Sequence, residues 1–490
     1  MAASISFKDW VVDFQGRTSY GVGMSPLERL PTELLNRIIL FVAAPVPDRG
    51  WKTLYALPGA SFHRPAWLLA CLQVSARLHD TAILIMYRDL TIRAVKTSIT
   101  RFFETLQQRP RLASLVRTID ITRSVYSDCT ISHRELALLP RLRDLRLSLS
   151  QVKEVKMLHE LIFCTPSLES LTLDISRLNE KTQMLRGVFD GLFHDLSSNL
   201  TTLNLTDSKG AGGLDIPGVF ESLLPKMYKL QVLNASRTCI TVDALSAIPS
   251  SARLSYLNIW GCRDLALSRL IDFLGTHPAV ASSLVVLKAG DIADTAPLSE
   301  TQVNSILAHA PKTLRSLDLS RSRMGRSNIP QLQLLCCQLE ELSLGRRLRM
   351  RDVEDMLLRP VYAFQDECHV SSSSQEYAPE AGKHEALLEP MRNAIALCKL
   401  RRRLASVCLD ENNRKTAGSL TLRYLDISSL AMEEQGQVKQ SILLGSHTRP
   451  LLAIELADIP WEDRGLVGNA CCAAGWTGKW EGKKLRVERI

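Results

Sequence analysis

The most regular feature of the chain is a spacing of aliphatic residues, aliphatic-x-x-aliphatic-x-aliphatic, that returns throughout its middle. It is seen at Leu142-Arg-Asp-Leu145-Arg-Leu147, Leu168-Glu-Ser-Leu171-Thr-Leu173 and Leu200-Thr-Thr-Leu203-Asn-Leu205. It returns at Leu230–Ala235, Leu254–Ile259, Leu284–Ala289, Leu314–Leu319 and Leu339–Leu344, and once more at Leu422–Ile427. The second half of each copy alternates with period two, which predicts a β-strand with its aliphatics on one face and polar residues on the other. Helical spacing follows in several copies, as in Lys156–Phe163, Gly218–Leu224 and Gln302–Leu307. Pro166, Pro225, Pro311 and the cluster Ser197–Asn199 then mark the return toward the next strand. One strand and one helix cannot bury their apolar sides alone, so the units must stack on one another.

From Leu142 to Leu339 there are seven intervals over 197 residues, about 28 each. Over roughly residues 110–460 the chain resembles the leucine-rich-repeat family. The fold class expected is therefore α/β: a leucine-rich-repeat solenoid with a curved parallel sheet inside and helices outside. One interval breaks the period, since Leu339 and Leu422 are 83 residues apart. It contains Asp366–Gly382, polar and poor in aliphatics, which predicts an insertion over 346–421 with a disordered loop around 365–383. Two cryptic repeats in this interval are the alternative.

Ahead of the repeats stands Leu30-Pro31-Thr32-Glu33-Leu34-Leu35-Asn36-Arg37-Ile38-Ile39-Leu40-Phe41-Val42. Pro31 suits a helix start, and Glu33 complements its positive end. Leu34, Ile38 and Phe41 form one apolar stripe, and Leu35, Ile39 and Val42 form a second, so two sides of the helix need cover. Further helical patterns follow at Leu68–His79 and Asp80–Leu90. Leu-Pro-x-Glu-Leu-Leu-x-x-Ile, then Leu-x-x-Val-Ser-x-x-Leu, then Ala-x-x-x-x-Tyr-Arg-x-Leu is an order similar to the F-box family, over about residues 26–92. The resemblance implies a small all-α module that binds a Skp-type adaptor of a cullin-based ubiquitin ligase. It implies adaptor contacts at Leu30, Pro31, Glu33, Leu34 and Ile38, helped by Leu72, Val74 and Ser75. The bland alternative is a helical cap on the first repeat. The layout expected is an extension over 1–25, the F-box-like module over 26–95, repeats over 96–345, the insertion, and a last repeat with a terminal cap over 422–490.

A substrate would meet the polar positions that flank the strand leucines, among them Asp144, Arg146, Thr172, Asp174, Asn204, Asn234, Lys288, Asp318 and Tyr424. Tyr256, Asn258 and Trp260 share one face by their two-residue spacing, and an exposed Tyr/Trp pair makes a plausible hot spot. Arginines gather after two consecutive strands, as Arg321, Arg323 and Arg326, then as Arg346, Arg347, Arg349 and Arg351. Guanidinium clusters suit carboxylates and phosphates, which points to an acidic or phosphorylated protein substrate at Arg321, Arg323, Arg346 and Arg347. An ordinary solvated face is the competing account.

The net charge of +9 on 490 residues is too mild to argue for nucleic acid. The longest apolar runs are far shorter than a bilayer span, and the scattered cysteines contain no C-x-x-C pair. The expectation is an intracellular chain, cytoplasmic or nuclear, with no membrane partner. No phosphate loop, zinc-protease helix or serine elbow occurs, so no catalytic residue, metal or cofactor is expected. The reading is a non-catalytic substrate receptor that joins a Skp-type adaptor and cullin scaffold to a protein substrate. The alternatives are a leucine-rich-repeat interaction scaffold outside any ligase and, more remotely, a GTPase-activating repeat protein.

Overall fold

The computed structural model describes residues 30–43, 71, 74–91, 96–121, 133–148, 165, 167–174, 199–206, 219–262, 265–290, 297–358, 421–441, 444, 451–457, 459, 461–481 and 484–489. The chain divides into two compact units, Met1–Leu230 and Gln231–Ile490. The division falls inside the repeat series, not at the end of the amino-terminal module.

In the first unit, the helices Thr32–Ala43 and Ala76–Arg88 share a small core of Leu35, Ile39, Leu78, Ala82 and Met86. The second of these helices joins residues that periodicity divides between two patterns. Its break lies at Ser75, an extended residue whose hydroxyl accepts from Leu78 N (3.3 Å) and so caps the first turn. Arg77 ties the pair together by donating to Leu30 O and, at 3.5 Å, to Thr32 Oγ1. The chain then passes directly into a parallel sheet of β1 (Asp89–Thr91), β2 (Thr118–Asp120), β3 (Asp144–Ser148), β4 (Ser170–Asp174) and β5 (Thr202–Thr206). Leu90, Ile119, Leu145, Leu171 and Leu203 lie in one register row, and all are buried. β1 and β2 carry weakened copies of the aliphatic spacing, Tyr87-x-x-Leu90-x-Ile92 and Val116-x-x-Ile119-x-Ile121, which a search for leucine passes over.

The second unit repeats the arrangement with β6 (Val232–Asn234), β7 (Tyr256–Asn258), β8 (Val286–Lys288), β9 (Ser316–Asp318), β10 (Glu341–Ser343), β11 (Tyr424–Asp426) and β12 (Ala453–Ala457). All are parallel, with Leu233, Leu257, Leu287, Leu317, Leu342, Leu425 and Ile454 in one buried row. Helices join them, including Leu267–Thr276, Glu300–Ala308, Ile329–Leu335 and Met350–Leu358. A recurrent clasp holds successive repeats. Ser283, Thr313 and Thr421, each just before a repeat's first leucine, donate to the carbonyls of Leu254, Leu284 and Leu339 in the preceding repeat. One parallel strand per copy of the leucine pattern, alternating with helices, is the layout of a leucine-rich-repeat-type protein.

β10 pairs directly with β11, and Thr421 clasps the Leu339 repeat, so no strand of a further repeat stands between them. The strands on either side of the long interval are therefore neighbours in the sheet. The helix Met350–Leu358 follows β10 as the other helices follow their strands, and the expected disordered loop around 365–383 lies outside the described residues. The hairpin expected at the carboxyl end is present as β13 (Trp476–Glu481) and β14 (Lys484–Arg489), with β14 antiparallel to β12. It covers the edge of β12 that a further parallel strand would otherwise pair with. Trp476 anchors it, fully buried, donating from Nε1 to Leu444 O at 2.8 Å.

Candidate functional site

The helix Thr32–Ala43 has two characters. Leu35 and Ile39 are 0% and 5% exposed, while Leu34 and Ile38, one position earlier in each case, are 44% and 39% exposed. An i, i+4 pair sits on one helix face, so Leu34 and Ile38 form an outward apolar stripe. Pro31 and Glu33 are exposed beside it, and Leu30 is half-buried. Val74, before the second helix, is 67% exposed. Ser75 spends its hydroxyl on the helix cap, and Leu72 lies outside the described residues. Large aliphatics exposed singly are ordinary, but a leucine and an isoleucine one turn apart make a patch.

The loops that follow the strands of the second unit form a separate locus. Asn234, Asn258, Asp318 and Asp426 each end a strand, and each accepts from the backbone N–H two residues on, at 2.9–3.2 Å. These side chains hold the turn that leaves each strand. Sequence reading placed Asn234, Asn258 and Asp318 among surfaces for a substrate, but their carboxamide or carboxylate already serves the backbone. Tyr256 is 7% exposed, so it is not half of an exposed aromatic pair; the Lys288 ammonium lies 5.8 Å from its ring centroid. Trp260 is half-buried and projects from the turn after β7. Two guanidiniums lie over its ring, Arg237 at 4.6 Å and Arg321 at 5.2 Å from the centroid. The sequence-selected Trp260 and Arg321 are thus brought together, and Arg237 joins them unforeseen. A register comparison would have found it, because Arg237 and Arg321 each stand three residues beyond the last residue of their strands.

The two arginine groups do adjoin. Arg346 N donates to Ser322 O at 2.8 Å and Arg347 N to Met324 O at 3.1 Å. Arg321, Arg323, Arg346 and Arg347 are all exposed. Arg347 leans toward Glu300, 4.0 Å from its carboxylate, so its charge is partly answered within the chain.

A third cluster is closed on itself. The Tyr424 hydroxyl donates to the buried Glu455 carboxylate, which also takes Lys484 Nζ at 2.6 Å. Arg486 donates to Glu488 at 2.6 Å and places its guanidinium over the Tyr424 ring. Burial, with the neighbouring carboxylates, pushes the Tyr424 phenol well above its ordinary range, so it is a donor at any working pH. Glu341, accepting from Ser316 Oγ at 2.8 Å, is also raised, chiefly by burial. Tyr424, Glu455 and Lys484 satisfy one another, whereas Arg486 Nη2 is buried with no hydrogen-bond partner among the described residues. Burial pushes the Cys262 thiol up to about 12, and it donates to Ala235 O at 2.9 Å, which makes it a packing residue rather than a nucleophile.

Among the described residues no group of three or more His, Cys, Asp or Glu is placed to hold a metal ion, and no helix is long and apolar enough to cross a membrane. No family model matches the sequence, and no curated protein matches it. Among solved structures, the chain is similar to one in a Rad7 and Elc1 complex from yeast, at 16% identity and a TM-score of 0.31. That match covers 61% of this chain and 85% of the other. It is also similar to one in a TLR13–ssRNA13 complex, at 15% identity and a TM-score of 0.26, covering 48% of this chain and 36% of the other.

Proposed function

We propose that this chain is a substrate-recognition subunit of a cullin-based ubiquitin ligase, working in the cytoplasm or nucleus. Its amino-terminal helices are an F-box that binds a Skp-type adaptor, and its repeats hold a protein substrate. Catalysis belongs to other subunits, and this chain raises the effective concentration of substrate near them. The observation that carries the reading is the outward stripe of Leu34 and Ile38 on a helix whose other face is already packed. A helix that served only as a cap would gain nothing from leaving these side chains in water. Burying them in a partner removes apolar surface worth about 25 cal/mol per Å². Leu30, Pro31, Glu33 and Val74 frame the same surface, with Leu72 as a further expected contact. Trp260 and the rim of Arg321, Arg323, Arg346 and Arg347 are the proposed substrate surface, and Asn258 and Tyr256 support it from beneath.

Co-expression of the full chain with a Skp-type adaptor tests this. The expected result is a one-to-one complex that survives gel filtration. An adaptor that elutes apart from a folded chain would leave the interaction scaffold as the better account.

A further inference from the structure

The carboxyl-terminal hairpin closes the edge of β12 and opens one of its own. In the strand order β13 stands last, and among the described residues no strand pairs with its outer side. Glu481 and Lys484 pair with two residues between them, so they exchange hydrogen bonds within the hairpin, as do Lys479 with Arg486 and Thr477 with Glu488. The alternate residues Trp476, Gly478 and Trp480 therefore aim N–H and C=O away from β14. The same alternation in β14 sends Arg489 N outward to Leu452 O, at 3.0 Å. Thr477, Gly478 and Lys479 are all exposed, so this edge faces water.

Folded proteins usually blunt an exposed edge with a short strand, a proline, a bulge or charge. β13 has six residues, no proline and an unbroken register with β14. Lys479 is the one charged residue between Trp476 and Trp480. The helix Trp461–Ala473 packs on this hairpin, with the Arg464 guanidinium 4.7 Å from the Trp480 ring centroid. A surface helix ordinarily shows charge on its outer face. From Gly465 onward the exposed residues of this one are Gly465, Leu466, Asn469, Cys472 and Ala473, none of them charged, and Leu466 is 56% exposed. The end of the repeat series is thus thinly charged on both its strand and its helix.

We propose that this end of the chain pairs with the same end of a second copy, β13 running antiparallel to β13 about a two-fold axis at Gly478. In that register Gly478 meets Gly478, and Trp476 of each copy meets Trp480 of the other. All of these residues present their backbone groups outward, so each pair can exchange two hydrogen bonds. Thr477 stands opposite Lys479 of the second copy, and no like charges are opposed. Moving the axis to Lys479 would instead set two ammoniums against each other, which is destabilising. Gly478 brings no side chain to the axis. A foreign strand would have to supply its own complement to this edge, whereas a second copy carries it by symmetry. The joined sheet would also bring the two Trp461–Ala473 helices to one face, with uncharged residues available for contact. This inference goes beyond the receptor reading and does not rest on it.

Sedimentation velocity of the purified full chain is the test. The dimer fraction should rise with concentration. Thr477 is exposed and lies opposite Lys479 of the second copy, so the charge placed there reads the register. Thr477→Lys should weaken dimerisation about three-fold or more, and Thr477→Glu should tighten it by a similar factor, because each acts at two symmetric cross-strand pairs. Thr477→Lys combined with Lys479→Glu should restore the parent's affinity. Thermal midpoints should match the parent's throughout; if Thr477→Lys melts early, Thr477→Glu decides alone. A chain that sediments as a monomer at every concentration would overturn the proposal and leave the edge to a foreign strand. A dimer indifferent to the sign of the charge at 477 would overturn it as well, by placing the interface elsewhere.

Discussion

In the second unit, the central aliphatic of every parallel strand from Leu233 to Ile454 is sealed, whereas the helix Thr32–Ala43 seals Leu35 and Ile39 and leaves Leu34 and Ile38 in water. Both regions are built from the same residue types in regular spacing. The difference lies in how many sides are covered. A repeat strand has one apolar face, and the helices behind it cover that face completely. The amino-terminal helix has two, and its small core with Ala76–Arg88 covers one. A residue that a folded chain keeps exposed next to one it buries is the better guide to an interface, because intramolecular packing already accounts for the other.

Substitutions at the two regions should therefore separate stability from binding. Leu257→Ala, in the sealed ladder, should lower the unfolding free energy by about 2–5 kcal/mol, the cost of a leucine cavity in a packed core. A denaturant titration reads this directly, and a cost below 1 kcal/mol would mean that the ladder relaxes around the gap. At the helix, Leu35→Ala should cost about 2–5 kcal/mol by the same cavity argument, and its neighbour Leu34→Ala should fall within about 0.5 kcal/mol of the parent. Equal costs at 34 and 35 would erase the distinction between the two faces. Gly290→Ala should cost about 1–3 kcal/mol, because its methyl meets Ser320 O and the edge of Trp260. The indole's near-ultraviolet signal should change with it.

The smallest expected effect concerns pH. Burial raises the Glu341 carboxyl above its ordinary 4.5, against the Ser316 hydrogen bond and the Lys288 charge. A carboxyl raised on folding binds its proton more tightly in the folded chain. Its contribution is then full below 4.5 and lost as pH rises through the raised value. Glu341→Gln keeps the acceptor and removes the titration. The parent should therefore lose stability relative to the variant between acid and neutral pH, as urea midpoints at the two ends would show. Parallel pH curves would place this carboxyl in a better-solvated setting.

Much of the repeat architecture was legible because a period of aliphatics is a direct record of burial. The strands at Leu145, Leu171, Leu203 and Leu233 follow from it, and so does the terminal hairpin, whose alternation around Leu485 and Val487 is a strand signal. β2 escaped because its row is Val116, Ile119 and Ile121 with no leucine, and β1 and β12 because each keeps only part of the leucine pattern, Leu90 in one and Leu451 and Leu456 in the other. The binding surface was harder to read. Polar residues at strand ends looked free in sequence, yet Asn258 and Asp318 are occupied by their own turns. Whether a polar side chain serves its backbone depends on a local hydrogen bond that residue type alone does not reveal. Tyr256 looked exposed by alternation, but alternation reports direction and not cover. Arg237 was passed over because it belongs to no run of arginines; its signal is its place three residues beyond β6, the place that Arg321 holds after β9.

The direct test of the interface is the dissociation constant of the Skp-type adaptor for the parent chain and for Leu34→Asp/Ile38→Asp, measured by titration calorimetry with circular dichroism to confirm folding. The expected result is at least a hundred-fold weakening, about 2.8 kcal/mol, with the far-ultraviolet spectrum and thermal midpoint preserved. A folded double variant that binds the adaptor as tightly as its parent would contradict the assignment of this helix face to a foreign subunit.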